Sequence, residues 1–404
     1  MQSYVDSILN EDVQEFLSLN EGEDVQKLLL KQKDFQGIPM EWIAQQLTAR
    51  KKAKTKISNW YNTKGIVYPP SVNLEQSSSD ATAKFKLTFL KELIKDEGKV
   101  IRAVDLTGGF GVDTYSLSKR AQHIDYVEPD TDLYELAKHN HKILKGHNIT
   151  HYNASAEDYL DTLDETIDLL FIDPSRRKGT RKIFKLEDCE PNVIEIQQQV
   201  FQKTEYILIK TSPLLDIQQG LRELNRVCQV IVVAVCNECK ELLFLLKRDF
   251  SGEPPIRVVE LNNYGEIVSD ASLTIEEEKV ATVSFSNPLI YLYEPSAALL
   301  KAGAFKWTAE KFQLKKLAVS SHLYTSDEIT DFPGKIYKVL EHVKLNNKLK
   351  DQFTNGHANI IIRNFPLTVP EVKEKTGLKE GGDQYLLLTQ TEKEKFVMIA
   401  ERVK

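Results

Sequence analysis

An acid followed by a glycine-rich turn is the feature of this 404-residue sequence with the clearest chemical meaning. Segment 104–113 reads Val-Asp-Leu-Thr-Gly-Gly-Phe-Gly-Val-Asp, with Asp105 at the end of an apolar run. Glycine has no side chain and tolerates positive φ, so this backbone can lie against a bound cofactor. A helix after the turn would present its N-terminal amides to negative or polar ligand groups. Dinucleotide-binding enzymes use a related loop, so the turn alone does not identify the cofactor.

A second acidic motif occupies residues 173–177, which read Asp-Pro-Ser-Arg-Arg, directly after the apolar run 167–172. A carboxylate in this position can accept hydrogen bonds from an amine, and such bonds strengthen when the amine becomes cationic. The alternative is that Asp173 only caps a turn. The basic run continues to residue 182, and it is interpreted either as a solvated loop or as a surface for a polyanionic substrate.

Five apolar runs that end in polar residues must position these groups. The first candidate strand ends at Asp105, and the other four span residues 123–127, 149–153, 167–172 and 206–210. Their spacing predicts a doubly wound α/β sheet, in which ligands bind at the carboxyl ends of the strands. Glu128 follows the second strand, roughly twenty residues after the glycines, where an acid would bind ribose hydroxyls.

These features resemble the class I S-adenosylmethionine (SAM) methyltransferases. A dehydrogenase turn usually reads Gly-x-Gly-x-x-Gly, whereas this turn reads Gly-Gly-x-Gly after an acid. A dehydrogenase also has no need for Asp173-Pro174 after the fourth strand. The resemblance therefore implies a Rossmann-like sheet with SAM as its cofactor, and the alternative is a nucleotide-type fold whose pocket has decayed.

Composition predicts a soluble, cytoplasmic protein of several domains. Hydrophobic residues make up 41% of the chain and charged residues 28%, as is typical of globular proteins. We expect no signal peptide before this polar, acidic N-terminus, and no membrane partner, because no apolar run approaches the ~20 residues that cross a bilayer. The four cysteines fit a reducing compartment better than a disulfide framework.

Cys236 and Cys239 have the spacing of metal ligands, but no second cysteine or histidine pair lies at a finger-like distance. They separate the apolar runs 230–235 and 242–246, which are candidate sixth and seventh strands. A strand-connecting turn is the favoured interpretation, with a redox or metal role as the alternative. No metal ligand is predicted.

Changes in the sequence pattern divide the chain into four predicted domains. Apolar residues at helical spacing predict an N-terminal helical domain over residues 1–70, which ends at consecutive prolines. The methyltransferase domain is predicted over 71–250. Mixed strand and helix patterns then predict two small α+β domains over 251–325 and 326–404.

The segment 50–64 is strongly basic and contains Trp60 and Tyr61. One interpretation is an amphipathic helix with a solvated lysine face. The other is a phosphate-contacting surface with aromatic rings available for base stacking. Because the formal net charge is −6, any surface for nucleic acid must be local.

With these segments identified, nearly the whole chain after residue 70 is similar to a bacterial family of class I methyltransferases with a ferredoxin-like insert and a C-terminal THUMP-like domain. The matching motifs are the glycine turn, Gln76-Ser77-Ser78, Asp173-Pro174-Ser175-Arg176-Arg177, Tyr291-Leu292-Tyr293-Glu294-Pro295 and Arg363-Asn364-Phe365-Pro366. The resemblance implies a ferredoxin-like domain at 251–325 and a THUMP-like domain at 326–404. It also implies RNA as the partner, because THUMP domains are associated with tRNA-modifying enzymes.

The resemblance assigns a cofactor site. The predicted cofactor-binding residues are Asp105, Thr107, Gly108, Gly109 and Gly111 for the methionine part, Glu128 for the ribose, Ser155, Ala156 and Glu157 for the adenine, and Gln76, Ser78 and Thr82 as further lining. Many relatives have Asp where Ser155 stands. The hydroxyl-rich stretch around Ser78 could instead cap the helix that follows it.

The resemblance also assigns the reaction centre to Asp173 and Pro174, which would orient a target amine. Amine-methylating relatives usually continue with a second proline and an aromatic residue, and this sequence has Ser175 and Arg176 there. An arginine can stack or bind phosphate but does not replace an aromatic ring. The predicted substrate-binding residues are Ser175, Arg176, Arg177, Lys210 and Ser212.

The predicted function is SAM-dependent methyl transfer to a base nitrogen of tRNA or rRNA. Two alternatives remain: a non-catalytic RNA-binding protein on the same scaffold, and a methyltransferase of proteins or small molecules. The acids Asp105 and Glu128 favour an enzyme, because a scaffold without a cofactor has no need of them. The basic run after Asp173 favours RNA.

Overall fold

A computed structural model describes residues 4–94, 101–176 and 185–403. These residues form two compact units. The first contains the chain up to Val230 together with Lys240–Gly252 and Leu261–Glu266, and the second contains Ile231–Cys239, Glu253–Glu260 and the chain from Ile267. Within the described ranges, no helix is both long and apolar enough to cross a membrane.

The first unit begins with helices, as the apolar spacing predicts. Its first elements are α1 (Tyr4–Leu9), α2 (Glu11–Leu19), α3 (Val25–Lys31), β1 (Asp34–Phe35), β2 (Ile38–Pro39), α4 (Met40–Lys56) and α5 (Ser58–Tyr61). Asn10 and Asp24 begin α2 and α3, and each side chain accepts a hydrogen bond from a backbone N–H of the first turn. Such caps satisfy amides that have no partner inside the helix.

Alternating helices and strands follow. They are α6 (Ser71–Gln76), α7 (Asp80–Leu93), β3 (Arg102–Asp105), α8 (Val112–Ser118), β4 (His123–Val127), α9 (Thr131–Ile143), β5 (Ile149–Tyr152), α10 (Ala156–Thr162), β6 (Ile167–Ile172), β7 (Ser175–Arg176), β8 (Cys189–Glu190), α11 (Val193–Lys203), β9 (Thr204–Thr211), α12 (Ile217–Glu223), β10 (Val227–Val235) and β11 (Glu238–Lys247), with a 3-10 turn at Leu186–Asp188. This alternation is the pattern that the predicted α/β sheet requires.

Six of these strands lie side by side in the order β11-β9-β6-β3-β4-β5. All neighbours are parallel except β11, which runs antiparallel to β9. Ala103 of β3 pairs with Ile124 of β4 and with Leu169 of β6, so β3 is central and flanked by apolar strands. The order reverses between β3 and β6, and ligands bind at such a switch point. The predicted doubly wound α/β sheet is confirmed by this strand order.

The N-terminal helices share a hydrophobic core with the elements around the glycine turn. Trp60 of α5 is only 2% exposed, and its ring centroid lies 4.8 Å from that of Phe110 in the turn. The same indole contacts His141 of α9 edge to face, at 6.1 Å between centroids. The N-terminal helices therefore pack against the glycine turn and stabilise it.

The turn between β10 and β11 contains Cys236 and Asn237, both with positive φ, 49° and 65°. Positive φ at two successive residues is the geometry of a tight type I′ hairpin turn. The interpretation of Cys236 to Cys239 as a strand-connecting turn is therefore confirmed. The described part of the chain contains no cluster of three potential metal ligands.

The remaining elements lie mainly in the second unit. They are β12 (Ile256–Leu261), β13 (Ile267–Leu273), α13 (Ile275–Val280), β14 (Tyr291–Pro295), α14 (Ala297–Ala302), α15 (Lys306–Lys311), β15 (Lys315–Lys316), β16 (Tyr324–Ser326), β17 (Gly334–His342), β18 (His357–Ile362), α16 (Val369–Thr376), β19 (Lys379–Gln390) and β20 (Lys395–Arg402), with 3-10 turns at Asn347–Gln352 and Thr354–Gly356. Seven strands form one sheet in the order β15-β16-β14-β17-β20-β19-β18. Small C-terminal α+β structure is thus present, as predicted.

Two of the motifs that carried the resemblance meet inside this second unit. Glu294, in the Tyr-Leu-Tyr-Glu-Pro motif, is 6% exposed and accepts a hydrogen bond from Nε of Arg363, in the Arg-Asn-Phe-Pro motif, at 2.8 Å. Tyr337 donates its hydroxyl to Glu294 at 3.3 Å, and Lys335 Nζ lies 3.6 Å away. A buried carboxylate needs such partners, so this pair serves the packing of the sheet.

Candidate active site

The glycine turn joins β3 to α8, and its three glycines meet three different requirements. Gly109 and Gly111 have left-handed φ values of 54° and 86°, which side chains disfavour. A Cβ on Gly108 would lie 2.2 Å from the ring of Tyr126. Gly111 is the residue from which α8 begins. Gly108 and Gly111 are buried and Gly109 is half-buried, so the turn presents backbone at Gly109, beyond the carboxyl end of β3.

Asp105 ends β3 and is buried, 1% exposed. One carboxylate oxygen accepts a hydrogen bond from the Thr114 hydroxyl at 2.6 Å, and the other accepts the Thr107 N–H at 3.1 Å. Burial raises the pKa of Asp105 to about 7, even though both hydrogen bonds favour the charged form. Asp105 thus organises the turn and the first turn of α8, and a contact to the ammonium of SAM stays a prediction.

Glu128 follows β4 and is hydrogen-bonded to the same turn. Its carboxylate accepts the Gly109 N–H at 2.9 Å and the Asp130 N–H at 3.0 Å. Burial raises its pKa, and the two backbone donors oppose that rise. The Asn153 amide after β5 donates to the Glu128 carbonyl at 2.8 Å. The ends of β3, β4 and β5 are therefore linked at one edge of the sheet.

The residues predicted to contact adenine lie after β5. Ser155 begins α10, where its hydroxyl accepts the Asp158 N–H at 3.1 Å and donates to the Asp158 carboxylate at 2.7 Å. Ala156 is buried and Glu157 is exposed. The Ser155 side chain therefore acts as a helix cap, and a role for these residues toward adenine stays a prediction.

The three residues predicted to line the pocket before the turn lie in different environments. Gln76 is exposed at the end of α6. Thr82 is 2% exposed and forms a capping box with Ser79 at the start of α7, so that part of the stretch caps the following helix. Ser78 is buried, and its hydroxyl donates to Asp113 at 2.6 Å. The described contacts therefore tie Ser78 and Thr82 to other side chains.

Asp173 lies directly beyond β6 and is tied to the glycine turn. Its N–H donates to the Thr107 hydroxyl at 2.6 Å. Its carboxylate lies 2.5 Å from Lys210 Nζ, and the Asp173 side chain is 32% exposed. Pro174 is buried behind it. Of the acids at this edge, Asp173 has the strongest combination of solvent access and a cationic partner.

The predicted substrate-side residues are only partly described. Ser175 is exposed and pairs with Glu190 in the short β7–β8 ladder. Ser212, half-buried after β9, accepts the Leu214 N–H at 3.2 Å. The Arg176 side chain, together with Arg177 and most of the basic run that follows it, lies outside the described residues.

Lys210, which we expected on the substrate side, is buried and contacts Asp173 and two further residues. Its Nζ lies 3.1 Å from the Ser78 hydroxyl and 3.4 Å from the Asp113 carboxylate. Sequence reasoning missed Asp113, which contacts Lys210, and also Lys86 and Glu241, which continue the ion network beyond Asp113. One signal in the sequence could have indicated this network: Lys86 is a charged residue on the buried, largely apolar face of α7.

The basic segment 50–64 also has mixed environments. Trp60 is buried, so it is not available for base stacking, because its ring is needed in the core behind the turn. Lys56 donates to the Glu75 carbonyl at 2.5 Å. Burial, with repulsion from Lys210 and Lys240, lowers the pKa of Lys56 to about 8. Lys56 at the end of α4 therefore interacts electrostatically with Lys210, the lysine that contacts Asp173.

Comparisons with known proteins agree with this architecture. A family model of ferredoxin-like domains matches residues 291–333, and a THUMP domain-like model matches residues 334–402. The expected domain combination is thereby confirmed. No curated protein matches the sequence.

The chain is similar over 99% of its length to 98% of a crystal structure described as a "putative methyltransferase" from Porphyromonas gingivalis W83, with 28% identity and a TM-score of 0.84. An rRNA methylase from Streptococcus thermophilus aligns with 40% of this chain and 93% of its own, at 16% identity and a TM-score of 0.31. A "putative methyltransferase" from Streptococcus mutans in complex with SAH aligns with 39% of this chain and 96% of its own, at 15% identity and a TM-score of 0.29. The first of these structures confirms the predicted methyltransferase fold.

Proposed function

We propose that this protein is a SAM-dependent methyltransferase that methylates a base nitrogen of tRNA or rRNA. The main supporting observation is that one glycine turn is hydrogen-bonded to both key acids. The Gly109 N–H donates to the Glu128 carboxylate, and the Thr107 hydroxyl accepts a hydrogen bond from the Asp173 N–H. A cofactor seated on this turn would therefore lie beside Asp173. This adjacency is what direct group transfer between cofactor and substrate requires.

The residues of the turn fit a SAM-like cofactor. A Cβ on Gly109 would meet nothing nearer than the Thr107 carbonyl at 3.7 Å, so this face of the turn is open to a ligand. Each Glu128 oxygen accepts one backbone N–H, and a carboxylate oxygen has a second lone pair for a ribose hydroxyl. When bound, SAM supplies a methyl group already activated on a sulfonium. The protein must orient the acceptor and exclude water.

Asp173 would orient the acceptor amine. Its carboxylate accepts N–H bonds from the amine, which aims the nitrogen lone pair at the methyl carbon. Transfer of the methyl group from SAM to this nitrogen would leave the nitrogen positively charged. The bonds to Asp173 become charge-assisted as the nitrogen turns positive. The nitrogen then loses one proton to the surroundings, so Asp173 need not act as a strong base beforehand.

Two features support RNA as the substrate. The THUMP domain-like match covers the C-terminal residues 334–402. Lys56 at the end of α4 interacts electrostatically with Lys210, and a basic run from Arg176 to Lys182 follows Asp173 in the sequence. Clustered lysine and arginine favour a phosphate backbone. A protein or small metabolite would have less use for this charge.

The test is transfer of radiolabelled methyl from SAM to total RNA from cells that lack this gene. We expect label in one discrete RNA with the native protein, none with Asp173→Ala, and full labelling with Asp164→Ala, which removes an exposed acid elsewhere in the same unit. SAM binding by calorimetry is measured in parallel. SAM binding without any labelled RNA would refute RNA as substrate, and absence of SAM binding would refute the cofactor.

A further inference from the structure

Resting on the proposed function, we propose that Lys210 is a positioning residue that holds the Asp173 carboxylate as an oriented, anionic acceptor. We further propose that a buried ion network from three other elements holds Lys210 in place. Neither role follows from the substrate-side position that the sequence suggests for Lys210.

The geometry places Lys210 against Asp173 from the neighbouring strand. Ile172, the last residue of β6, pairs in register with Ile209 of β9. Asp173, the first residue after β6, and Lys210, still within β9, therefore lie at the same level of adjacent parallel strands. The Lys210 side chain is only 8% exposed, and its Nζ lies 2.5 Å from Oδ2 of Asp173. This contact is charge-assisted and short.

Lys210 is itself held by groups on other elements. Its Nζ lies 3.4 Å from Oδ2 of Asp113 on α8 and 3.1 Å from the Ser78 hydroxyl before α7. Lys86 of α7 lies 3.2 Å from Oδ1 of Asp113 and 2.8 Å from both carboxylate oxygens of Glu241 on β11. The ammonium of Lys210 is therefore held by Asp113 and Ser78 as well as by Asp173.

Burying such a network is costly, and packing alone does not require it. Replacing buried ion pairs by apolar residues is often neutral or stabilising. The side chains of Lys86, Asp113, Glu241 and Lys210 are all less than 10% exposed, whereas that of Asp173 is 32% exposed. The network therefore has one solvent-accessible end, and that end is the carboxylate in the proposed reaction centre.

The charges around Asp173 show what Lys210 contributes. Burial raises the pKa of Asp173, and Lys210 is the strongest group opposing that rise, with Lys86 weaker and Asp113 acting the other way. Asp105 lies close enough to interact with Asp173 as well. Burial opposes the charge on Lys210, but Asp173, Asp113 and Glu241 outweigh it and raise its pKa. Without this ammonium the pKa of Asp173 would rise further, so the carboxylate would take up its proton at a higher pH.

The first test is the pH dependence of kcat for the native protein, Lys210→Met and Lys210→Arg. We expect Lys210→Met to move the acidic limb up by about one pH unit or more and to lower kcat at pH 7 about tenfold, with the KM for SAM unchanged. Lys210→Arg should return the acidic limb of the kcat profile to its native pH. Lys247→Met is the matched control, because Lys247 lies at the other end of the β9–β11 pair, beside Tyr206. An unmoved limb in Lys210→Met, or an equal shift in Lys247→Met, would overturn the proposal.

A second measurement needs no methyl acceptor. Carboxyl carbon NMR of the full chain follows the ionisation of Asp173, assigned by the signal that Asp173→Asn removes. We expect Asp173 to titrate at higher pH in Lys210→Met, or in Lys210→Gln if the first variant does not fold. The same titration in native and variant proteins would overturn the proposal. A shifted titration in a protein that methylates no RNA would refute the proposed substrate and leave the role of Lys210 standing.

Discussion

Alanine at each glycine of the turn should lower the stability of the protein, and Gly111→Ala tests the reasons most sharply because left-handed backbone and a steric clash coincide there. Gly111 has φ +86°, and a methyl group there would lie 2.4 Å from Nε2 of His141. His141 is fully buried, and its Nε2 lies 2.9 Å from the Gly111 carbonyl oxygen. The imidazole therefore has to move, and its hydrogen bond to the turn is lost.

The cost can be assembled from three contributions. A non-glycine residue in left-handed backbone costs roughly 1–2 kcal/mol, overpacking a core costs about 1–3 kcal/mol, and a buried donor without its acceptor costs about 1–3 kcal/mol. Allowing for partial relaxation, we expect Gly111→Ala to lower the free energy of unfolding by about 3–6 kcal/mol.

Gly109→Ala is the matched control in the same turn. Its φ is also left-handed, +54°, but a methyl group there would meet only the Thr107 carbonyl, at 3.7 Å. We therefore expect the backbone contribution alone, about 1–2 kcal/mol. The difference between the two variants isolates the contact with His141.

The assay is guanidinium unfolding followed by tryptophan fluorescence, since Trp60 packs against Phe110 within this turn. Removing the imidazole should remove the clash, so in a His141→Ala background the cost of Gly111→Ala should fall toward that of Gly109→Ala. Equal destabilisation by Gly111→Ala and Gly109→Ala in the native background would refute the reasoning. So would an unchanged cost when His141 is absent.

Two further predictions concern pH and salt. Burial lowers the pKa of His141 to about 3 from its ordinary 6.5. Below pH 6.5 the imidazole therefore takes up a proton when the protein unfolds. As the pH falls from 6.5 toward 3, this residue should reduce the free energy of unfolding by up to about 1.4 kcal/mol per pH unit. His141→Gln should flatten that dependence in urea unfolding, and an unchanged slope would contradict the prediction. Lys56→Ala should weaken RNA binding and lower the slope of log affinity against log salt by about one, whereas Lys27→Ala, an exposed lysine of α3, should leave both unchanged. An equal effect of the two substitutions would contradict a contact between RNA and Lys56.

Local pattern was sufficient for the sheet and for the turn. Apolar runs ending in polar residues predicted β3, β4, β5, β6 and β9. The carboxyl ends of parallel strands meet at one edge of the sheet irrespective of loop conformation, so the position of the candidate site was predictable as well. The glycines at 108, 109 and 111 could be read in the same way, because their freedom from a Cβ is a property of single residues. These features depend on neighbours a few residues apart.

Partners of individual side chains were decided by the tertiary structure. Ser78 and Lys210 are 132 residues apart in sequence, and Lys86 and Glu241 are 155 apart, yet each pair is in contact. No periodicity encodes such a pairing, because it depends on how α7 packs on the sheet and on the register of β9 and β11. Trp60 shows the same limit: its spacing predicts a helix, and only packing on Phe110 buries the ring. The sequence by itself predicted Asp105, Glu128 and Asp173 as candidate site residues. Three-dimensional packing decided that Lys210 contacts Asp173, because a buried charge needs a partner that the fold brings to it.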